Sequence, residues 1–422
     1  MRKKIAILGG GLTGLTAGYF LAKKNYQITI FEKKETLGGL ASGFKKKGWQ
    51  WYLDYTYHHI FSNDNDIIDF AKQINFNNFF FRSLQTASIF DDLKIRPIDT
   101  PIDFLKLDFL NIFDKLRAGL ILIFLKISPF LKVYENQICE NFLKKTMGKI
   151  IWDKLWQELF RKKFGKYAEN VLASFFWARI KKRTKKLGYP KGGFQNFINY
   201  IEKQLKSLKV KMLKNHQINE IKKTGNKFII DNNEFDYVIS TLPTPILIKI
   251  TEKIFPAEFL QNLRKINYLH AKTLIIEVKK PLLEKIYWLN VNAKTIPIMV
   301  IVEHTNFIDK KNYAGNHLIY LGWYLEEKNP FWSLKDKQLL NTIFPYLKKI
   351  NPLFEKKDII FLTSFQAKYA QPIFDKNFIN YKPNFITPIK NFLIANLDMT
   401  YPYDRGTNYA VKIGKKVNDL IK

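Results

Sequence analysis

The sequence has little cysteine, little arginine and no long apolar run. Its one cysteine, Cys139, excludes an intramolecular disulfide framework and a cysteine-ligated zinc cluster. Beyond the amino terminus, the most apolar stretch is Ala118–Leu125, far shorter than the ~20 residues that a membrane-spanning helix needs. Glycine and proline number only 20 and 16 in 422 residues, which excludes collagen-like and low-complexity chains. We therefore expect a globular, cytoplasmic protein of about two or three domains.

Acidic residues are scarce beside basic ones, 37 against 69, and the net charge is +32. Only nine of the basic residues are arginine, and the abundance of lysine, asparagine, isoleucine and phenylalanine is typical of an AT-rich coding sequence. Recognition of phosphates and bases favours the arginine fork, and no zinc-finger, RNA-recognition or leucine-zipper pattern is present. We therefore expect no nucleic-acid partner.

The stretch from Ala118 to Leu131 has two interpretations. We favour a buried helix of a substrate domain. The alternative is an amphipathic helix in peripheral contact with the inner face of an anionic membrane, which the excess of lysine would assist.

The first 32 residues predict a strand, a glycine turn, a helix and a second strand. Lys4–Leu8 and Gln27–Phe31 are short apolar runs of the strand type, and Leu15–Lys24 has apolar residues at helical spacing. Between the first strand and the helix lies Gly-Gly-Gly-Leu-Thr-Gly, residues 9–14, which has the spacing G-x-G-x-x-G. The order of these segments predicts a βαβ unit that binds a dinucleotide.

Each glycine of this turn has a physical role. Gly9 permits the tight turn, Gly11 lets the backbone approach a pyrophosphate, and Gly14 allows the helix to pack closely on the strand. The helix that begins here directs unpaired N–H groups at the phosphates. Glu32, 18 residues after Gly14, can accept hydrogen bonds from a ribose hydroxyl.

A diglycine, Gly38-Gly39, follows Glu32 after six residues. With this pair the sequence resembles the flavin-containing amine oxidase and protoporphyrinogen oxidase superfamily, although many members have arginine where this chain has Leu40. The resemblance runs nearly end to end and includes Leu53–Phe61, Phe164-Gly165, Phe176–Arg179, Gly188–Phe194, Asp236–Pro243 and Tyr401–Ala410.

The resemblance implies a non-covalently bound FAD. It places Ile218 beside the adenine, Asp398 at the ribityl chain, and the N–H groups of residues 406–408 at the flavin N1–C2=O edge. A helix N-terminus stabilises the negative charge that reduced flavin carries there. The implied FAD contacts are Gly9, Gly11, Leu12, Thr13, Gly14, Glu32, Lys33, Gly38, Gly39, Leu40, Ile218, Asp398, Gly406, Thr407 and Asn408.

The resemblance also implies the fold, an α/β protein with a discontinuous, Rossmann-like FAD-binding domain of the GR2 type. This domain would comprise residues 1–90, 185–250 and 390–422. A second, α+β substrate domain would comprise a helical part, residues 91–184, and a mixed sheet, residues 251–389.

The function implied is that of an FAD-dependent oxidoreductase, which transfers hydride from a small-molecule substrate to flavin N5. Two alternatives stay open. One is a redox-neutral enzyme like UDP-galactopyranose mutase, and the other is a non-catalytic binding protein like the GDP-dissociation inhibitors. The identity of the substrate, the electron acceptor and the oligomeric state are also open.

Three groups are candidates for catalysis. His58 and His59 follow the predicted flavin contacts, where they would either touch the flavin, one as a general base, or serve as structural histidines. Glu303 and His304 end an apolar strand, as a pocket wall or as an ordinary capped loop. Lys272 lies near the point where several amine oxidases have a lysine. The six histidines lack the spacing of metal ligands, so we expect no metal.

Overall fold

The computed structural model describes residues 2–421 and contains two main sheets with helices packed around them. The strands, in chain order, are β1 Lys4–Leu8, β2 Gln27–Phe31, β3 Gly43–Phe44, β4 Leu53–Asp54, β5 Ile60–Phe61, β6 Phe79–Ser83, β7 Gln85–Ile89, β8 Ile95–Pro97, β9 Lys186–Pro190, β10 Lys211–Leu213, β11 Lys222–Thr224, β12 Lys227–Ile230, β13 Asn233–Phe235, β14 Tyr237–Ser240, β15 Tyr268–Val278, β16 Ile286–Val291, β17 Val300–Glu303, β18 His317–Leu325, β19 Ile359–Pro372 and β20 Phe392–Ile394.

The helices connect these strands and form one large insertion, residues 101–182, between β8 and β9. In chain order they are α1 Leu12–Lys23, α2 Asn65–Gln73, α3 Pro101–Leu105, α4 Ile112–Ile127, α5 Leu131–Glu135, α6 Cys139–Thr146, α7 Lys149–Ile151, α8 Gln157–Phe164, α9 Ala173–Lys182, α10 Phe194–Ser207, α11 Thr244–Thr251, α12 Ala257–Arg264, α13 Pro330–Ser333, α14 Asp336–Ile350, α15 Phe378–Tyr381 and α16 Thr407–Leu420. A π-helical turn, Trp152–Trp156, joins α7 to α8.

The first sheet is parallel throughout and has the strand order β10-β2-β1-β14-β20. Its central strand β1 is buried from Ile5 to Leu8, because both faces of the sheet are covered. In the register, Ile7 lies between Ile30 and Ile239. The sheet therefore joins three segments that are far apart in the sequence, near the beginning, the middle and the end of the chain.

The second sheet has the order β19-β15-β18-β17-β16-β7-β8, and only β16 and β7 pair in parallel. Apolar residues of β15 and β18 pack with Leu339, Ile343 and Leu347 of α14 in one core cluster. Strand β7 belongs to this sheet, so the predicted domain boundary at residue 90 falls inside it. Residues 217–221 form an irregular segment, and the hairpin that follows begins at β11.

Helix α4 contradicts the favoured prediction of a buried helix. Only Ala118 and Leu125 are buried among its residues, although most of its side chains are apolar. These two side chains lie on the same face, seven positions apart, and that face is the one packed against the protein. No helix within residues 2–421 combines the length and apolarity that crossing a bilayer would require.

Helices α1 and α16 pack unusually closely. A Cβ atom at Gly414 of α16 would lie 2.5 Å from the backbone oxygen of Thr13 and 2.8 Å from the Cβ of Thr16, both in α1. Only glycine permits this approach, since the Thr13 oxygen belongs to the backbone and cannot rotate away. The contact fixes the first helix of the chain against the last.

We expect Gly414→Ala to destabilise the protein by about 1–3 kcal/mol through overpacking. Alanine in an exposed helix interior ordinarily stabilises it relative to glycine, by about 1 kcal/mol. Gly119→Ala in α4, where a Cβ meets nothing within 4 Å, is therefore the matched control and should leave the thermal midpoint unchanged or raise it. Equal thermal midpoints for the two variants would contradict the close packing.

Candidate active site

A large cavity of about 1290 Å³ lies among the parallel sheet, the mixed sheet and the helical insertion. This volume exceeds the range of about 300–1,000 Å³ that is usual for one drug-sized ligand. Both ends of the chain reach it, since Gly9 and Gly11 line it together with Gly406 and Thr407. The cavity is therefore large enough for an extended ligand that contacts both termini of the fold.

Two helices begin at the cavity wall, each preceded by a glycine. Gly11 precedes α1 and Gly406 precedes α16, and within residues 2–421 no side chain caps either helix. Uncapped helix N-termini offer N–H donors and a positive dipole end to an anionic ligand. The nearest atom to a Cβ built at Gly11 is the Cα of Gly39 at 3.9 Å, so the backbone here is open to the cavity.

Glu32 organises the loops on one side of the cavity. Its two carboxylate oxygens accept hydrogen bonds from the backbone N–H groups of Gly10 and Lys34, each at 2.9 Å. The first bond holds the glycine turn and the second holds the start of the loop that leads to the diglycine. Its contact with a ribose stays a prediction.

His58 and His59 lie deep in the molecule on the cavity wall. Burial lowers the pKa of His58 to about 3 and that of His59 to about 4, so both rings are neutral near pH 7. A ring nitrogen of His58 is 3.4 Å from Thr56 Oγ1, and Nδ1 of His59 is 3.4 Å from the Tyr287 hydroxyl. Their catalytic role stays a prediction, but the neutral rings can donate and accept hydrogen bonds.

A comparison with known protein families shows the family to which this chain belongs. The model of the flavin containing amine oxidoreductase family matches residues 12–367. The chain belongs to this family. The family is one of flavin-dependent oxidoreductases, and FAD is the cofactor of this chain.

Individual relatives agree with the family assignment. The coproporphyrinogen III oxidase of Staphylococcus aureus is 24% identical over 291 residues, which are 59% of this chain and 62% of that protein. The chain thus spans less than two thirds of this relative.

Solved structures show the same fold. An Exiguobacterium sp. 255-15 protein assigned as a protoporphyrinogen oxidase has a TM-score of 0.78 at 15% identity, with 100% of this chain and 98% of that chain covered. A reduced UDP-galactopyranose mutase has a TM-score of 0.78 at 17% identity, with 99% and 93% covered. At these identities the likeness concerns the fold alone, the mixed helix-and-sheet fold of the FAD-dependent amine oxidases.

Most residues that the sequence predicts for the site of this flavoprotein do line the cavity. They are Gly9, Gly11, Leu12, Thr13, Glu32, Lys33, Gly38, Gly39, Leu40, His58, His59, Ile218, Gly406, Thr407 and Asn408. Gly14 instead packs within the turn, where an added Cβ would lie 2.1 Å from the Gly9 oxygen. This location agrees with the packing role expected of the third glycine.

Asp398 does not face the cavity as the ribityl contact requires. Its Oδ2 atom accepts hydrogen bonds of 2.5 Å from the hydroxyls of Thr244 and Tyr268, and burial raises its pKa to about 6. The neighbouring side chains of Asn396 and Leu397 line the cavity instead. Asp398 thereby holds the turn from which these neighbours project.

The three other predicted catalytic residues are also away from the cavity. Lys272 Nζ donates to the backbone oxygens of Trp332 and Leu334, at 2.9 and 2.7 Å. Glu303 accepts from two backbone amides, and burial raises its pKa to about 8. His304 Nε2 lies 2.9 Å from the Tyr313 hydroxyl.

The alternation of side chains along a strand explains why two of these residues, Glu303 and Lys272, do not face the cavity. Val300 of β17 lines the cavity, so Glu303, three positions on, points to the other face of the sheet. In β15, Ala271 is paired with the cavity-lining Tyr324, and Lys272 is on the face opposite. His304 lies in the turn after β17, where its ring is buried against aromatic neighbours.

Sequence reasoning missed a charged cluster on the cavity wall. Asp404 accepts hydrogen bonds from Lys163 Nζ at 2.9 Å and Arg179 Nη1 at 2.8 Å. Burial alone would raise the pKa of Asp404, but these cations lower it to about 2. Arg405 Nε donates to the Tyr324 hydroxyl at 2.8 Å. The only sequence signal is the pair Asp404-Arg405 before the last helix, because the partners are 81 or more residues away.

We expect Gly11→Val to reduce the FAD that co-purifies with the protein by about tenfold or more, equivalent to about 1.4 kcal/mol. The added side chain fills the open space at the N-terminus of α1, without a close clash at its Cβ. Flavin absorbance per mole of protein measures the effect. Gly119→Val is the matched control. A Gly11→Val protein with full flavin content would refute the assignment of Gly11 to the FAD site.

The histidine pair predicts a pH dependence of stability. The pKa of an unfolded histidine is about 6.5. The unfolded chain therefore binds more protons than the native protein between that pH and the native values of about 3 for His58 and about 4 for His59. Native stability should fall as the pH drops through this window, by up to about 1.4 kcal/mol per pH unit for each histidine.

The variants His58→Asn and His59→Asn should each remove one such contribution. When the pH is lowered from 6.5 to 4.5, we expect the free energy of unfolding to fall by about 2–3 kcal/mol less in each variant than in the wild type. Urea unfolding at several pH values measures this, and above pH 7 all three proteins should have parallel profiles. If the stability profiles of the three proteins were parallel at low pH as well, the two histidine rings would not be neutral in the native state there.

Proposed function

We propose that this protein uses FAD to oxidise a largely apolar small molecule by removing hydride from a C–H bond. One observation carries the proposal: a single cavity connects the uncapped N-termini of α1 and α16 to an apolar chamber at the helical insertion. Side chains that line this chamber are Phe90, Phe104, Leu107, Leu122, Trp156 and Phe176.

The parallel sheet and its glycine turn support a Rossmann-like FAD-binding domain of the GR2 type. In this proposal the N-terminus of α1 and Gly11 hold the pyrophosphate. Glu32 and the segment 216–219 border the adenosine, and residues 406–408 border the flavin ring. All of these groups line the cavity.

The cofactor would be bound without a covalent link. The only thiol, that of Cys139 in α6, is buried in a core cluster that extends from the helical insertion to the parallel sheet, and it does not line the cavity. Burial also raises its pKa, so the reactive thiolate is disfavoured.

When bound, FAD supplies the hydride acceptor, and no side-chain nucleophile is required. The residues of the chain then exclude water and orient the substrate. Apolar side chains line the chamber, and the neutral rings of His58 and His59 supply polar contacts on the cavity wall. Arg405 places a fixed positive charge nearby, held by the Tyr324 hydroxyl.

The relative from Staphylococcus aureus suggests the first compound to test. It is named as an oxidase of coproporphyrinogen III, a macrocycle that carries carboxylate groups. Lys182, Arg183 and Lys185 line the cavity, and cationic side chains can pair with carboxylates. We propose such an apolar, acid-bearing molecule as the substrate class.

The test is anaerobic mixing of the purified protein with coproporphyrinogen III. We expect the flavin absorbance to bleach, because each FAD takes up two electrons from the substrate. Full oxidation to the porphyrin removes six electrons, so three FAD should be reduced for each porphyrin whose absorbance appears. An equal addition of buffer is the control.

Other outcomes identify the alternatives. Conversion of UDP-galactopyranose only after reduction with dithionite would favour the redox-neutral mutase. A colourless protein that does not take up added FAD would favour a binding protein without catalysis.

A further inference from the structure

Helix α4 presents an apolar face to the outside of the molecule. We call it the outer face and define it by Phe113, Leu116, Leu120, Ile123, Phe124 and Ile127. Between 51% and 79% of the surface of each residue is exposed. Their spacing of three and four positions, apart from the adjacent pair 123–124, places all six on one side of the helix.

This arrangement reverses the usual orientation of an amphipathic helix. A surface helix normally directs its apolar stripe at the core and its polar side at water. In α4 the small contact with the protein is made through Ala118 and Leu125, and the larger apolar stripe points away. Exposed apolar residues at both ends, Ile102 in α3 and Phe130 before α5, extend the patch. Contiguous exposed patches of this kind mark interaction surfaces.

The charged residues leave the outer face apolar. Arg117 donates to the backbone oxygens of Lys145 and Thr146, and Lys126 donates to those of Lys181 and Arg183, so both cations fold back onto the protein. Two exposed lysines, Lys106 and Lys132, flank α4 in the sequence. An apolar centre between cationic groups suits the boundary between the headgroups and acyl chains of an anionic membrane.

The net charge distinguishes between possible occupants of the outer face. At +32 the chain repels a second copy of itself, whereas a surface of anionic lipid attracts it. We propose that the outer face docks on an anionic lipid bilayer and inserts its side chains among the headgroups. The helix then lies in the plane of the bilayer and does not cross it.

The cavity opens beside the same surface. Ile123 and Ile127 belong to the outer face and also line the cavity, together with Leu122 and Lys126. Docking therefore places the apolar chamber next to the lipid. This last point rests on the proposed function, because an apolar substrate dissolved in the bilayer would reach the chamber from there.

Vesicle flotation of the FAD-loaded protein tests the docking without any measurement of turnover. The vesicles contain phosphatidylcholine alone or with phosphatidylglycerol. We expect binding to the anionic vesicles and a decrease of about a hundredfold in the partition coefficient for the double variant Phe113→Ser/Leu120→Ser, since two large apolar side chains no longer insert. Leu353→Ser/Ile386→Ser, which also removes two exposed apolar side chains, is the matched control and should bind like the wild type.

A nitroxide label provides a second measurement that is independent of mutational damage. The single native cysteine is buried, so a thiol introduced by Leu120→Cys or by Leu353→Cys takes the label. On addition of anionic vesicles, a label at position 120 should become more accessible to oxygen and less accessible to a nickel chelate. A label at position 353 should not change.

Three results would overturn the proposal. The first is unchanged vesicle binding by the Phe113→Ser/Leu120→Ser protein at full flavin content, and the second is no vesicle binding by the wild type. The third is a wild-type protein that is dimeric in solution while the Phe113→Ser/Leu120→Ser protein is monomeric. Vesicle binding by a protein that oxidises no substrate would support the docking and count against the proposed function alone.

Discussion

The contact between α1 and α16 is the constraint on which the site depends. At Gly414 the last helix lies so close to the backbone of the first that no space remains for a single methyl group between them. Because the two helices meet there, their N-termini open on one cavity, although about 390 residues separate them in the sequence. A flexible connection between these helices would leave two separate anion sites. The close contact combines them into one elongated site.

The cavity wall combines groups with different electrostatics. Near the helix N-termini the donors are backbone N–H groups, which keep their polarity without a titrating side chain. Among the titratable side chains of the cavity wall, burial leaves His58 and His59 neutral, whereas Asp404, just before α16, stays ionised because Lys163 and Arg179 compensate for its burial. His58, His59 and Asp404 therefore each keep one charge state near pH 7.

The sequence predicted the part of the site that depends on local pattern. The glycine turn, Glu32 and the start of the last helix are each recognisable within a few residues, and their cavity-facing positions follow from the strand–turn–helix geometry. The substrate side depends on features that no local pattern contains. The face to which Lys272 or Glu303 points follows from the register of the mixed sheet, and a shift of one residue reverses it. Asp404 is likewise informative only once Lys163 and Arg179 are seen beside it.

Helix α4 shows why hydrophobicity alone did not predict burial. Its sequence is apolar on most sides, which is equally consistent with a helix inside a core and with one at an interface. The fold distinguishes the two cases, because the insertion covers only the side with Ala118 and Leu125. The same helix then serves two surfaces: Leu122 lines the chamber while Leu120, two positions earlier, faces outward. A helix so placed has a structural role at the chamber wall, but only Ile123 and Ile127 of the outer face share that role, and the other four apolar residues do not line the cavity. The outer face is therefore explained by a partner outside the folded chain. An anionic lipid bilayer fits it, because the apolar interior of the bilayer accepts the apolar side chains and its anionic surface attracts the cations around them.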